Sequence, residues 1–370
     1  MRLAVALIAA AAVALGALPR ILLAAGALPD VLRPFVWSDA YLVYERSLAG
    51  HRLPYLDAPF EYPPLIGAVS GVFSLVAPGA AVFVTLWAGV QAACAALAAW
   101  LLMDLAEPLR VRRRFALAPQ LVLLGSLNFD LVAVAFVSLA LVAVRAHRDG
   151  RTIAALALGT ASKLFPLAVA PVAVLRAARP LRVALIGAAV LAACYLPAIL
   201  AGPTAAAAPL YYLAGIDANN DSPWGALAWL AARAGLPDLQ PAILVVSLLG
   251  LAITYAVAVL PRARTAEPVA LIGLAIVTTM VWTRLYSPQY SLWVLPFFAV
   301  LGLRMRLFAL LSLGDALVFV SIYPISIPTW QPDDPLLVVL RAVLFIGVAI
   351  RLAALIGVWR ALRDMTPAPA

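Results

Sequence analysis

Long apolar runs recur along the whole 370-residue chain, and short clusters of arginine separate many of them. Hydrophobic residues make up 65% of the chain and charged residues 12%, whereas about a quarter of the residues of a soluble domain are charged. A helix of roughly 20 apolar residues crosses the hydrocarbon core of a bilayer. The sequence therefore excludes a water-soluble fold and predicts an all-α polytopic membrane protein, in which residues 1–370 form one integral membrane domain.

The arginine clusters predict how the chain is threaded, because positive residues near the ends of spans favour the cytoplasmic side. They lie at 110–114, 145–151, 176–182, 262–264, 304–306 and 360–363. An even number of crossings must join neighbouring clusters, which predicts about twelve transmembrane helices with both termini cytoplasmic. We expect the first helix, at about 3–26, to be retained rather than cleaved as a signal peptide. The formal net charge of +9 then reflects topology, and we expect no nucleic-acid partner.

Most acidic residues fall in the predicted outside loops, of which the first covers about 27–79 and the last about 327–335. The apolar segment 63–76 within the first loop does not fit as a full span, because it would move the cluster at 110–114 to the outside. We expect this segment to form a helix that lies in, or dips into, the outer interface. The run 115–127 and the paired runs 152–162 and 165–175 are short for full crossings. We expect them to be sheltered by neighbouring helices or to meet a thinned or water-filled region.

Several kinds of chemistry are excluded by the residues that are missing. The two cysteines, Cys94 and Cys194, lie in apolar stretches without ligand spacing, and His51 and His147 are the only histidines. A disulfide framework, a metal site and a Ser-His-Asp triad are therefore not expected. The chain also lacks phosphate-binding and dinucleotide-binding motifs. A reaction on the outer side needs no protein-bound cofactor if an activated compound already lies in the membrane.

The first outside loop is unusually rich in residues capable of binding or catalysis. They are Trp37, Asp39, Tyr41, Tyr44, Glu45, His51, Tyr55, Asp57, Glu61 and Tyr62. Tyrosine and tryptophan are common in the belts at membrane interfaces. Acids interleaved with aromatic rings also suit a sugar, whose hydroxyls need acceptors and whose C–H faces stack on rings. Both interpretations are open from the residues alone.

Two cations stand close to apolar segments on the predicted outer side. Lys163 is the only lysine in the chain, and Arg284 precedes Gln289 and Tyr290. Lys163 could extend from a short helix to the surface, as long cationic side chains do. Ionisable residues in membrane spans are nevertheless commonly functional. The pair of cations would suit the phosphate of a lipid.

Three further charged residues have a plain structural interpretation. Asp130 begins a predicted span, where an acidic side chain caps a helix and favours its dipole. Asp315 is expected to make a buried polar contact between helices. Arg20 is expected to pair with an acid or a lipid headgroup.

Three segments resemble glycosyltransferase family 87, and they occur in the family's order on one predicted side. They are WSDAYLVYERSLAGHRLPYLDAPFEYPPL at 37–65, SKLFPLAVAPV at 162–172 and SPQYSLWVLPF at 287–297. The sequence is also similar to the catalytic subunit of GPI mannosyltransferase I. The resemblance implies a GT-C fold with an interfacial, helical first outer loop that holds the catalytic acid. It further implies transfer of a hexose, most commonly mannose, from a polyprenyl phosphate to a lipid or glycan acceptor.

The resemblance also implies roles for individual residues. Asp39 matches the catalytic aspartate, whereas Lys163 and Arg284 match positions near the donor phosphate. We expect substrate contacts from Tyr41, Tyr44, Tyr55, Glu61, Tyr62, Asn128, Asp130, Gln289 and Tyr290. The second outer loop departs from the family's Gly-Gln-x-Asn, because it reads Ser-Leu-Asn-Phe-Asp at 126–130. Together these features predict a multi-pass enzyme of the cell membrane with an extracytoplasmic active site. A transporter or flippase for a lipid-linked or anionic substrate, or a non-catalytic subunit of envelope assembly, is the alternative.

Overall fold

A computed structural model describes residues 1–202, 204, 207–325 and 334–367, and these residues form helices but no extended strands. The α-helices are α1 Arg2–Ala24, α2 Asp39–Val43, α3 Pro64–Val76, α4 Ala80–Leu102, α5 Pro108–Val111, α6 Pro119–Leu124, α7 Asp130–Arg145, α8 Asp149–Ser162, α9 Ala170–Arg176, α10 Pro180–Ala201, α11 Ala208–Gly215, α12 Pro223–Arg233, α13 Gln240–Thr254, α14 Pro268–Trp282, α15 Leu295–Leu301, α16 Met305–Ile325 and α17 Pro335–Asp364. Seven of these described helices begin with proline, whose fixed φ and missing N–H suit the first helical position.

Tighter and wider helical turns extend several of these helices. The 3-10 turns cover Asp30–Phe35, Phe165–Val169, Leu260–Arg262 and Pro288–Trp293, and the π turns cover Tyr44–Leu48, Arg112–Ala116 and Tyr255–Val259. Most of the predicted outer loop at about 327–335 lies outside the described residues.

Among the described residues, six helical segments are long and apolar enough to cross a membrane. They are α1, α4, α10, the continuous segment Gln240–Arg262, α16 and α17. This confirms a helical, membrane-embedded protein, whereas the total of twelve crossings stays a prediction. The shorter helices α7 and α14 are buried along most of their length, and so is α8, which contains the predicted short run 152–162. Neighbouring helices therefore shelter them from lipid, as their length requires.

Arginine side chains on the predicted cytoplasmic side join the ends of different helices. Arg2 pairs with Asp104 at 2.7 Å, and Arg145 pairs with Glu267 at 2.8 Å. Arg114 donates to the carbonyl oxygen of Leu303 at 2.7 Å. At the opposite helix ends, residues predicted to lie outside contact one another instead. The fold thus separates the two predicted sides, although which side faces the cytosol stays a prediction.

The first loop is fixed to the helices beneath it by aromatic packing. Tyr44 packs on Phe83 with ring centroids 5.2 Å apart, and Tyr62 packs edge-on against Phe129 at 4.8 Å. Helix α3 has 13 residues, too few to cross a bilayer alone. The loop is therefore helical, as predicted, while the depth of α3 at the interface stays a prediction.

Arg20 is buried in α1 and forms no ion pair with an acid among the described residues, so the expected pairing with an acid is not observed. It donates to the carbonyl oxygens of Trp37 at 2.9 Å and Leu123 at 2.7 Å, and to Ser126 Oγ at 3.1 Å. These acceptors lie in two loops that are far apart in sequence. Arg20 therefore ties the start of the first loop to the second one, directly beside Asp39.

Candidate active site

A cavity of about 1510 Å³ opens among the residues predicted to lie on the outer side. Its wall comes from the first loop, from the turn before α7, from α11 and the loop after it, from α13, and from the segment after α14. Eight of the twelve predicted site residues line it: Asp39, Glu61, Tyr62, Asn128, Lys163, Arg284, Gln289 and Tyr290. The fold thus brings together three segments that the sequence keeps far apart.

Asp39 is held by hydrogen bonds from both loops. Its backbone N–H donates to the carbonyl oxygen of Leu127 at 3.0 Å. Its carboxylate accepts from Trp37 Nε1 at 2.6 Å, from the Tyr62 hydroxyl at 3.3 Å and from the side-chain amide of Asn128. These three donors fix the orientation of the carboxylate.

The pKa of Asp39 is raised above its ordinary value of 3.8. Burial is the main cause, because a low-dielectric environment disfavours the charged carboxylate. The hydrogen bond from Trp37 and the charge of Lys163 act in the opposite direction. A carboxylate of this kind binds a proton more readily than an exposed aspartate, which is the property that a general base needs.

Lys163 points into the protein rather than along a lipid-facing surface. It follows the last residue of α8, in extended backbone conformation. Its Nζ lies 3.2 Å from Asp130 Oδ2, 5.3 Å from the centre of the Tyr62 ring and 5.8 Å from that of Tyr290. The cation is therefore held between one acid and two aromatic rings at the cavity wall.

Asp130 does not cap α7, so the capping prediction is wrong. It is the first residue of the helix, in the turn where an acid favours the helix dipole, but its carboxylate accepts no hydrogen bond from a described backbone N–H of α7. Instead, Oδ1 accepts from Trp293 Nε1 at 2.7 Å while Oδ2 faces Lys163. Asp130 is buried and does not line the cavity. A substrate contact by Asp130 is therefore unsupported, and the residue's contacts instead fix the position of Lys163.

Arg284 lines the cavity but already holds the end of α11. Its guanidinium donates to the carbonyl oxygens of Leu213 at 3.0 Å, Ala214 at 3.4 Å and Ile216. These carbonyls belong to the last turn of α11, where cations are favoured. All three acceptors are uncharged, so no ion pair with a described acid offsets the charge of Arg284 beside the cavity.

Glu61 provides a second carboxylate in the cavity wall. It lies 3.6 Å from Arg46, another lining residue. Burial raises the pKa of Glu61 and nearby Asp39 raises it further, whereas Arg46 lowers it.

Asn128 is held in place behind Asp39 by a residue of α4. Gln91 Nε2 donates to the backbone carbonyl oxygen of Asn128 at 2.7 Å.

Three residues that were predicted to contact substrate do not line the cavity. Tyr44 packs against Phe83, and the hydroxyl of Tyr55 donates to the carbonyl oxygen of Tyr62. Tyr41 packs against the same apolar cluster as Tyr44. None of the three lines the cavity. Their observed contacts shape the first loop, and no direct substrate contact by them is supported.

Comparison with protein families identifies the chain. The sequence model of glycosyltransferase family 87 matches residues 60–288, well over half of the chain. The protein belongs to glycosyltransferase family 87. No curated protein matches it.

The match to family 87 covers only part of the candidate site. Glu61, Tyr62, Asn128, Lys163 and Arg284 lie within residues 60–288. Asp39 precedes the matched range, whereas Gln289 and Tyr290 follow it. Membership therefore shows a glycosyltransferase, while the role of each residue has to be argued from its contacts.

Sequence reasoning missed a buried ion pair of this family 87 protein. Arg351 Nη2 lies 3.6 Å from Asp221 Oδ2, and its guanidinium lies 4.0 Å from the centre of the Tyr286 ring. Asp221 lines the cavity. Burial raises the pKa of Asp221 to about 6. An arginine inside a long apolar helix is the signal that could have identified the pair.

The structure confirms the expectation for Asp315. This buried residue of α16 accepts hydrogen bonds from Ser291 Oγ at 2.7 Å and from Gln120 Nε2 at 3.0 Å. It does not line the cavity. Asp315 is therefore a polar contact between helices.

Proposed function

We propose that this family 87 glycosyltransferase moves a hexose, in the first place mannose, from a polyprenyl phosphate to an extracytoplasmic lipid or glycan acceptor. The observation that carries the proposal is that Asp39, Lys163 and Arg284 line one cavity. Glycosyl transfer from a lipid phosphate needs a base to take the proton of the acceptor and positive charge to stabilise the departing phosphate. Asp39 and the two cations would supply these groups in one cavity. The GT-C fold, the similarity to GPI mannosyltransferase I and the cell-membrane location belong to the same proposal.

In the proposed reaction, Asp39 removes the proton of an acceptor hydroxyl as its oxygen attacks the anomeric carbon. The bond between that carbon and the phosphate oxygen breaks, the lipid phosphate leaves with the electron pair, and the configuration inverts. The Tyr62 hydroxyl makes the longest hydrogen bond to Asp39, at 3.3 Å. The acceptor hydroxyl can therefore replace Tyr62, while Trp37 and Asn128 keep the carboxylate oriented.

The two cations would stabilise the charge that develops on the departing phosphate. Asp130 offsets the charge of Lys163, whereas Arg284 is bonded to uncharged carbonyls. Leu244, Leu248 and Leu251 of α13 also line the cavity. This apolar wall suits the hydrocarbon chain of a polyprenyl donor.

The proposal is tested by incubating the purified protein in liposomes with labelled polyprenyl-phosphate mannose and an alkyl mannoside. We expect a labelled disaccharide glycoside whose new linkage has the configuration opposite to that of the donor. A flippase would move the labelled lipid between leaflets without forming a glycoside, and a scaffold would do neither. The same assay with the glucose and arabinofuranose lipids identifies the preferred sugar.

The pH dependence of transfer follows from the raised pKa of Asp39. The base is active as the carboxylate, so lowering the pH through its pKa removes the active form. We expect kcat/KM to decline on acidification with a midpoint above 3.8, the ordinary value. The measurement is a pH profile at constant ionic strength, with refolding controls after each acid exposure. Constant activity down to pH 3.8 would contradict the assignment of Asp39.

A further inference from the structure

Three residues of the cavity wall carry oxygen atoms that accept no hydrogen bond. Asp221, Gln289 and Tyr323 line the cavity, and Gln289 Oε1 and the Tyr323 hydroxyl are buried without a hydrogen-bond partner among the described residues. Asp221 Oδ2 also accepts no hydrogen bond there, and it lies 3.6 Å from its ion-pair partner Arg351 Nη2. Buried polar atoms in native proteins are nearly always hydrogen-bonded. Such atoms in a cavity wall indicate where a ligand completes the hydrogen bonding.

Two of these side chains, those of Tyr323 and Asp221, are held by contacts with their neighbours. The Tyr323 ring stacks on Trp37 with centroids 5.5 Å apart and planes 12° apart. Asp221 is held near Arg351, whose Nη2 lies 3.6 Å from Oδ2 and also donates to the Asp221 carbonyl oxygen. The Tyr323 and Asp221 side chains are thus held in place before a ligand arrives.

The position of Tyr323 connects this part of the wall to the proposed reaction centre. The Tyr323 ring stacks on Trp37, with ring centroids 5.5 Å apart. Its stacking partner Trp37 also donates to Asp39 at 2.6 Å. A ligand that contacts the Tyr323 hydroxyl would therefore lie close to Asp39.

The chemistry of the atoms decides between a sugar and a phosphate. A carboxylate oxygen and an amide oxygen only accept hydrogen bonds. Ionised phosphate oxygens also only accept, so they cannot satisfy Asp221 or Gln289. Sugar hydroxyls donate and accept, and a ring carries several of them.

We propose that the side-chain oxygens of Asp221, Gln289 and Tyr323 bind the hydroxyls of a sugar ring, as a subsite separate from the cations near Lys163 and Arg284. This inference rests on the proposed function, because it assigns specificity to the same cavity. It adds Asp221 and Tyr323, which the sequence motifs do not contain.

The test compares polar-to-apolar variants inside and outside the cavity. Gln289→Leu and Tyr323→Phe remove unpartnered oxygens from the wall. Gln120→Leu and Tyr286→Phe are matched controls, because Gln120 donates to Asp315 at 3.0 Å, Tyr286 bonds Ser291 at 3.0 Å, and neither lines the cavity. Equilibrium binding is measured for polyprenyl-phosphate mannose, for the same polyprenyl phosphate without sugar, and for octyl mannoside.

We expect Gln289→Leu and Tyr323→Phe to weaken binding of a mannose-bearing probe by about 3- to 10-fold, the effect of one lost neutral hydrogen bond. Binding of the sugar-free lipid should not change, and the unfolding temperature should stay the same or rise. If only the binding of polyprenyl-phosphate mannose weakens, the subsite binds the donor sugar. If only the binding of octyl mannoside weakens, the subsite binds the acceptor sugar. The controls Gln120→Leu and Tyr286→Phe should lower the unfolding temperature without changing affinity.

Other outcomes overturn the subsite. These are unchanged affinities in both cavity variants, equal weakening of the sugar-free lipid, or no binding of any mannose-bearing probe by the parent protein. The double variant Asp221→Ala with Arg351→Met removes both buried charges. It should weaken the binding of mannose-bearing probes in the same way as Gln289→Leu and Tyr323→Phe. A parent protein that binds mannosyl lipid selectively but forms no glycoside would contradict the proposed function while leaving the subsite intact.

Discussion

Asp39→Asn is expected to lower the rate of sugar transfer by about 10²- to 10⁴-fold, the usual contribution of proton transfer by a positioned base. Asparagine keeps the shape of the side chain but cannot take the acceptor's proton. It also presents an NH₂ group to one of the donors Trp37 or Asn128, so a modest loss of stability accompanies the loss of activity. The measurement is single-turnover transfer by folded protein isolated by gel filtration.

Asp315→Asn is the matched control for Asp39→Asn, because Asp315 is also buried and accepts two hydrogen bonds, but does not line the cavity. We expect Asp315→Asn to lower the unfolding temperature while the folded fraction transfers sugar at the parent rate. Parent-like transfer by Asp39→Asn would show that another group is the base, and Glu61 would be the next candidate.

Lys163→Met is expected to damage both stability and catalysis. It leaves Asp130 buried without its cation, a change that typically destabilises a protein by about 3 to 5 kcal/mol. The Asp130 side chain is 1% exposed and that of Lys163 13%, so solvent offers little compensation. Loss of a charge that stabilises the leaving phosphate would lower transfer by a further ~10²- to 10³-fold, the effect of removing one oxyanion donor.

The double variant Lys163→Met with Asp130→Asn separates the two effects. It removes both charges, and the new amide side chain can still accept from Trp293 Nε1 through its oxygen. We expect most of the stability to return, measured by chemical denaturation in detergent, while transfer stays low. Recovery of transfer together with stability would show that Lys163 serves only to neutralise Asp130.

The sequence predicts the class of the protein and much of the candidate site, for local reasons. Apolar runs of spanning length require a membrane, whatever the packing of the helices. Asp39, Lys163 and Gln289 could be selected because each lies in a short motif and is an unusual residue type for its surroundings. Prolines at the starts of helices likewise act through their own backbone, so helix boundaries are partly predictable.

The partners of these residues could not be predicted in the same way. In the sequence Asp130 resembles a helix cap. In the structure it contacts Lys163 and also Trp293, which lies 163 residues away along the chain, and these contacts fix the position of Lys163. Tyr44 and Tyr55 stand in the same motif-bearing loop as Tyr62, yet only Tyr62 lines the cavity. Arg351 and Asp221 are 130 residues apart and form no motif.

Membrane residence was determined by the sequence alone, because transfer of apolar residues into lipid depends on composition and length. The choice of which polar side chains face the cavity was decided only by the tertiary structure. Each buried charge or hydrogen-bonding atom needs a partner at a specific distance and angle, and helices from remote parts of the chain supply that partner only once they pack together.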